Sequence, residues 1–334
     1  MSLMSSSRRT SRGTASTLLH AAFAVAVTVA ASLASAQEPW PSKSVKLIVP
    51  SSPGGGTDVF ARLLAQALTD SMGQQFIVEN RPGASGTVGA QAVASAPRDG
   101  YTFLVAANAS IAIGAAFNMK LPFSIENDLT PVARGVMAVS ALVVNPDTGI
   151  RDIDDLVARA KKQPEALAFG SAGTGTSLYL GVRMIEEAGG VKFLHAPYKG
   201  IGPAYRDLLA GRLQFLYTDL ASAIQYVSAG RLKALAVDRK TALLPGIPTF
   251  AEAGWATIDS PTSFCVMAPS GVSPAVMQKM AAEVAKALKT LQPRLEQQAL
   301  VPVFDTPAEF AADLARERAR WAAFVKRNGI TAEQ

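Results

Sequence analysis

The sequence predicts an α/β protein built on mainly parallel sheets. Strand-length apolar runs alternate with helical segments of about 10 to 15 residues along most of the chain. Twice, roughly 120 residues apart, a strand passes through a Gly/Ser/Thr loop into an amphipathic helix. The last part is almost wholly helical, from Pro274-Ala-Val-Met-Gln-Lys-Met280 to Trp321-Ala-Ala-Phe-Val325, with too few strands to stand alone. It is expected to pack back on the first part, so that the chain crosses twice between two lobes, near residues 136–144 and 264–268.

The elements follow in order. Residues 1–36 have the form of a secretory signal peptide: Arg8, Arg9 and Arg12 without an acidic residue, an apolar run over 18–33, then Ala34-Ser35-Ala36. Cleavage after Ala36 leaves Gln37 first. The run is shorter than the ~20 residues a membrane span needs. Val45-Lys-Leu-Ile-Val-Pro50 is the first strand, and Ser51-Ser-Pro-Gly-Gly-Gly-Thr-Asp58 leads from it into a helix with Val59, Leu63 and Ala67, joined by Phe60, Leu64 and Leu68, on one face. Such a loop aims unpaired N–H groups, at the positive end of a helix dipole, into the space above the strand. A small-anion site, a nucleotide site and a plain structural turn are all compatible with it. The nucleotide reading fits worst, because no Gly-Lys-Ser/Thr follows, the glycines are consecutive, and Asp58 adds negative charge there.

Asp99-Gly100 turns into a third strand, Tyr101-Thr-Phe-Leu-Val-Ala106, whose end carries a small polar loop with Asn108 and Ser110. Open α/β sheets bind ligands beyond the carboxyl ends of their strands, which puts these residues on the rim of the first glycine loop. The second strand–loop–helix unit runs Ala166-Leu-Ala-Phe169, Gly170-Ser-Ala-Gly-Thr-Gly-Thr-Ser177, then a helix closed by Gly189-Gly190. The two loops suit a ligand held between lobes, or are ordinary βα turns. Two more units follow, from His195-Ala-Pro-Tyr-Lys-Gly200 and from Leu213-Gln-Phe-Leu-Tyr-Thr-Asp219. Asp219 sits at a strand end, either to accept a hydrogen bond from a ligand or to cap the next helix.

Composition removes several classes of function. Loss of the three leader arginines lowers the formal charge from +6 to +3 and leaves 298 residues, enough for two domains. The basic residues are scattered, adjacent only in the isolated pairs Lys161-Lys162, Arg239-Lys240 and Lys326-Arg327, which argues against nucleic acid. Cys265 is the single cysteine, in an apolar strand pattern that makes it a buried, inert thiol, and His195 is the single histidine after the leader. A His/Cys metal centre has too few ligands, and no G-x-S-x-G elbow is present, so neither metal nor cofactor is expected. A secreted α/β enzyme would depend on His195 as its base.

The ordered set Trp40-Pro-Ser-Lys, Ser52-Pro-Gly-Gly-Gly-Thr-Asp58 with Ala61-Arg62, Val78-Glu-Asn-Arg-Pro-Gly-Ala84, Asp99-Gly-Tyr-Thr102, Ala196-Pro-Tyr-Lys-Gly200, Leu235-Ala-Val237, Pro248-Thr249 and Glu252-Ala-Gly254 resembles the Bug family. These are periplasmic substrate-binding proteins of tripartite tricarboxylate transporters. The resemblance covers residues 40–330. It implies a two-lobed type II periplasmic-binding fold (a Venus flytrap), each lobe a mixed sheet flanked by helices, with residues 37–137 plus 265–334 in lobe I and 138–264 in lobe II. It also implies a monomeric, non-enzymatic receptor that closes on a small organic carboxylate and delivers it to membrane subunits. A sensor of the same fold acting in signalling is the alternative.

Carried over by position, the resemblance implies ligand contacts from Ser51, Ser52, Gly54, Gly55, Ala107 and Asn108, facing Ser171, Gly173, Thr174, Gly175, Thr176 and Ser177, with Asp219 at the far end. Tyr179, Thr176 and Ser263-Phe264-Cys265 depart from the family pattern, as does the run at 109–117. Small apolar replacements there enlarge the cleft toward an aromatic or bulky acid. The proposed loops contain no arginine or lysine, so the carboxylate is expected to be met by N–H and hydroxyl donors alone.

Overall fold

The structure, a computed structural model, describes residues 40–116 and 123–331. The leader, its cleavage site and Phe117 lie outside the described residues. From Lys43 onward the chain is one unit containing two sheets.

The first sheet is assembled from β1 (Val45–Val49), β2 (Phe76–Asn80), β3 (Thr102–Ala107), β4 (Leu129–Ala138), β10 (Thr262–Pro269) and β11 (Leu300–Pro302), in the order β11-β4-β10-β3-β1-β2. The second holds β5 (Ser140–Val144), β6 (Ala168–Ser171), β7 (Leu194–Pro197), β8 (Phe215–Asp219) and β9 (Lys233–Val237), in the order β7-β6-β8-β5-β9. Strands joined by helical crossovers pair in parallel, β1 with β2 and β3, and β6 with β7 and β8. Strands that arrive from the other sheet pair antiparallel: β10 with β3 and β4, β5 with β8 and β9. Each sheet is therefore mixed rather than mainly parallel. A strand entering from the opposite lobe brings no crossover helix to reverse its direction.

The passage between sheets is short at both places. Only Val139 separates β4 from β5, and Pro261 leads directly into β10. The two passages run side by side, with Thr262 opposite Ala138 in the ladder. The return enters the first sheet at Thr262, so residues 262–264, expected in lobe II, pair in the lobe I sheet.

The helices are α1 (Gly56–Met72), α2 (Thr87–Ala94), α3 (Asn108–Ala116), α4 (Ile125–Asp128), α5 (Ile153–Lys162), α6 (Ser177–Gly189), α7 (Ile201–Leu209), α8 (Leu220–Ser228), α9 (Pro274–Glu296) and α10 (Pro307–Arg327). Gly73 and Gly190 end α1 and α6 in the left-handed conformation that a side chain would oppose. Helix α3 starts directly at the end of β3, where a polar loop was expected. The C-terminal helices pack on the first sheet: α9 against α1 and β4, α10 against α3 and β4. They are interrupted by β11, an edge strand too short to show in the sequence pattern. Packing joins the layers through large side chains. Phe60 of α1 stacks on Phe264 of β10 with centroids 6.2 Å apart, and both are fully buried. Burial of each such ring contributes about 1.5–3 kcal/mol.

Candidate functional site

Five parallel strands end on one cavity between the sheets. Beyond β1 lie Pro50 and Ser51, at the end of β3 Ala107, beyond β6 Ala172, beyond β7 Lys199, and at the end of β8 Asp219, and all of these line a cavity of about 70 Å³. Parallel strands leave the carbonyl ends and following loops of both sheets facing the same space.

Several of the helices begin at the cavity wall. Helices α1, α2 and α7 have glycine N-caps, Gly55, Gly86 and Gly200, none of which brings a capping side chain of its own. Gly55, Gly86 and Ile201 line the cavity. First-turn N–H groups of three helices, of which only Gly56 N–H is met by a distant carboxylate, thus converge with their positive dipole ends on one spot. Helix α6 is capped instead by Thr176, whose hydroxyl oxygen accepts from the Tyr179 N–H, and α8 by Asp219, which accepts from the Ser222 N–H at 2.9 Å.

Two carboxylates modify the first loop. Asp58 accepts from the Gly54 N–H and from Arg62 and Asn80. Burial pushes its carboxyl up, but these hydrogen bonds outweigh that and hold it below the usual range. Asp219 reaches across from the second sheet and accepts from the Gly56 N–H as well as from Ser222. Burial raises its pKa, the bonds from Ser222 and Gly56 opposing. A Cβ on Gly56 would lie 2.6 Å from Asp219 Cγ, so only glycine permits this approach. Part of the N–H supply expected for a ligand is therefore taken by the protein's own carboxylates. Asp219 caps a helix and lines the cavity at once, so its two sequence-level readings are not exclusive.

Of the other expected contacts, Ser51, Gly55, Ala107, Thr176 and Ser177 line the cavity. The remainder do not. The Ser52 hydroxyl donates to the Lys199 carbonyl, closing one lobe on the other. Gly173 and Gly175 abut Ser85 of the first lobe, and the Gly175 N–H donates to Ser85 Oγ. Ser171 is fully buried and pairs with His195 Nε2 at 2.8 Å. Thr174 is buried away from the cavity. Asn108 is turned into the core, donating to Glu317 Oε2 at 2.7 Å and accepting from the Ser263 N–H. These side chains hold the loops in place around the cavity rather than facing it.

Several lining residues fall outside the expected set. Lys199 corrects the expectation of a wall without cations; it stands in the Pro197-Tyr-Lys-Gly200 segment, at a strand-to-helix junction like the others, which was the available signal. Ser85 and Gly86 come from the Pro82-Gly-Ala-Ser-Gly86 turn, where Ala84 and Ser85 hold positive φ and start α2 at the cavity. Ser110, Thr262 and Phe264 complete the wall. Thr262 ties the cavity to the passage between sheets: its hydroxyl pairs with Ser177 Oγ at 2.8 Å, and Ser260 Oγ donates to the Ser177 carbonyl.

Ser171 and His195 do not form an accessible nucleophile–base pair. His195 lies between the rings of Phe169 and Tyr179, at 4.8 and 4.7 Å, and Ser171 is closed off from the cavity. Cys265 is buried with its thiol pushed up to about 12 by burial. Among the described residues no group of three or more His, Cys, Asp or Glu side chains is disposed to hold a metal ion, and no helix is long and apolar enough to cross a membrane.

Two sheets joined by two adjacent passages, with a donor-rich cavity between them, define a two-lobed binding protein of the periplasmic type. A solved periplasmic transporter structure is similar over 88% of this chain and 100% of its own, at 33% identity and a TM-score of 0.85. A protein of R. palustris solved with adipate is similar over 87% and 99%, at 30% identity and a TM-score of 0.84. The chain is 34% identical over 296 residues to the protein BugT of Bordetella pertussis, covering 87% of this chain and 90% of the relative. The family model described as tripartite tricarboxylate transporter family receptor matches residues 60–330. The chain belongs to that receptor family.

Proposed function

We propose that the protein captures a small organic carboxylate in the periplasm, by closing its two lobes around it, and presents the closed form to the membrane subunits of a tripartite transporter. The observation that carries this is the convergence of three glycine-capped helix N-termini on one cavity between the lobes. A carboxylate placed there accepts from N–H groups and from the hydroxyls of Ser177 and Ser85, with Lys199 at the wall. The relative solved with adipate supports the same ligand class. A ligand that bridges donors on both lobes biases the open–closed equilibrium toward closed.

In this reading Ser51, Gly55, Ala107, Thr176, Ser177 and Asp219 face the ligand, and Ser52, Gly173 and Gly175 form the seam between lobes. The exported form begins at Gln37, acts as a monomer and performs no catalysis. The inaccessible Ser171–His195 pair supports a receptor over a hydrolase. A thermal-shift screen against mono-, di- and tricarboxylates, amino acids and nucleotides tests the reading. Ligand at about 100 times its Kd adds roughly 2.7 kcal/mol, a shift of several degrees. Stabilisation confined to carboxylates is the expected result; stabilisation by nucleotides alone rules the proposal out.

A further inference from the structure

A buried carboxyl stands among the donors that line the cavity. Asp219 ends β8, borders the cavity of about 70 Å³ and is only 4% exposed. It accepts from both lobes, from the Ser222 N–H on Oδ1 at 2.9 Å and from the Gly56 N–H across the seam. None of the neighbouring cations pairs with it: Arg62 of α1 is held by Asp58, Arg239 beyond β9 by Asp238, and Lys199, on the same cavity wall, is an exposed residue. The Tyr205 hydroxyl of α7 is engaged with Thr218 and Ser222. Burial therefore dominates and raises the Asp219 carboxyl above its ordinary range, the Ser222 and Gly56 hydrogen bonds opposing.

Resting on the carboxylate reading above, we infer that Asp219 is protonated in the liganded protein and donates its O–H to the ligand carboxylate, so that capture takes up one proton from solution. The proton goes on Oδ2, because Oδ1 accepts the Ser222 N–H. No bond of the ligand is made or broken. Size brings the two carboxyl groups together: at about 10–15 Å³ for each water-sized group the cavity holds roughly five to seven such groups, which leaves a seated carboxylate no place far from Asp219. Two ionised carboxylates repel in a site withdrawn from water, whereas one proton between them gives a charge-assisted hydrogen bond. With the lobes apart, water reaches Asp219 and removes the burial that disfavours its charge. The group thus has a higher pKa in the liganded form than in the open form, so affinity is full at low pH and falls as pH rises between the two values.

Isothermal titration with adipate, benzoate and malate tests the assignment. Adipate and benzoate carry no hydroxyl or amine by formula, and malate carries a hydroxyl. Repeating the titration at pH 7.5 in HEPES and in Tris, which release protons with different heats, counts the protons taken up. For adipate or benzoate the expected result is about half a proton or more per ligand, with binding about tenfold or more weaker at pH 8 than at pH 6. Asp219→Asn, which puts a neutral N–H donor in place of the O–H, is expected to take up no proton, to vary less than about threefold over the same range and to bind more tightly than the unsubstituted protein at pH 8. His195 is common to both proteins, so the difference belongs to Asp219. Binding without proton uptake and with an affinity that is flat from pH 6 to pH 8 overturns the inference. So does binding of malate alone, since an ionised Asp219 would then be accepting from the ligand hydroxyl; in both cases the carboxylate receptor stands. If none of the three acids binds, the carboxylate reading fails and the role of Asp219 with it. The proton count on the unsubstituted protein decides the question even where the Asp219 variant does not fold.

Discussion

Substituting Gly202 by alanine separates closure from folding. Gly202 is the second residue of α7, in lobe II, and an added Cβ would fall closer than 3.0 Å to the Pro53 carbonyl oxygen of the first loop, in lobe I. The obstacle is backbone, so no side-chain rotation relieves it. In an open form that contact is absent, and alanine in a helical position is favoured over glycine by about 0.5–1 kcal/mol. Overpacking of this kind costs about 1–3 kcal/mol, here charged to the closed form alone. Gly202→Ala is therefore expected to leave the unliganded protein as stable as before or slightly more so. Its affinity for the acid that most stabilises the unsubstituted protein should fall about 5- to 150-fold. Urea unfolding without ligand reads the first quantity and isothermal titration the second. Unchanged affinity would refute the reasoning, because the closed geometry would then not be the liganded one; a large loss of unliganded stability would show that the Pro53 contact persists when the lobes part.

Three other perturbations test separate features. Glu317 has its carboxyl raised to about 7, first by burial and then by Asp313, with Asn108, Arg134 and Arg320 opposing. A raised folded-state value means this group's stabilisation is complete below about pH 4.5 and is lost as pH rises to about 7, on the order of 3 kcal/mol. The stability difference between Glu317→Gln and the unsubstituted protein, from urea curves across this range, should grow with pH; a constant difference would show that Glu317 titrates normally. Cys265, buried with its thiol raised to about 12, should react with a thiol reagent at pH 8 only after denaturation, and prompt labelling of the native protein would contradict its burial. Phe264→Ala removes the ring that packs on Phe60 and walls the cavity, and should cost about 3–5 kcal/mol in urea unfolding; a loss under about 1 kcal/mol would show that the site collapses around the gap.

The strand–loop–helix units were legible because they are local. Five apolar strand residues, a run of glycines and the 3.6-residue spacing of Phe60, Leu64 and Leu68 announce β1 and α1 without reference to anything distant. The same holds for Gly190 ending α6 and for the inert environment of Cys265. The rim rule for α/β sheets places Asn108 and Ser110 on the rim of the first glycine loop, and Ser110 does line the cavity with Ser51.

Side-chain orientation was not legible. Asn108 and Ser51 follow strands in the same way, yet Asn108 turns into the core because Glu317 and the Ser263 N–H, both far away in sequence, offer it partners there. The mixed character of the sheets depends on which strands arrive from the other lobe, and a strand's composition does not record its direction. Lys199 and Ser85 join the cavity wall because the lobes meet, through Ser52 to Lys199 and Ser85 to Gly175. The sequence by itself determined the repeating units, the chemistry of the loops and the family. Only the tertiary structure decided which N–H groups Asp58 and Asp219 occupy, which residues of the two lobes share the cavity wall and how closely Gly202 approaches Pro53, because each is a contact between segments that only folding brings together.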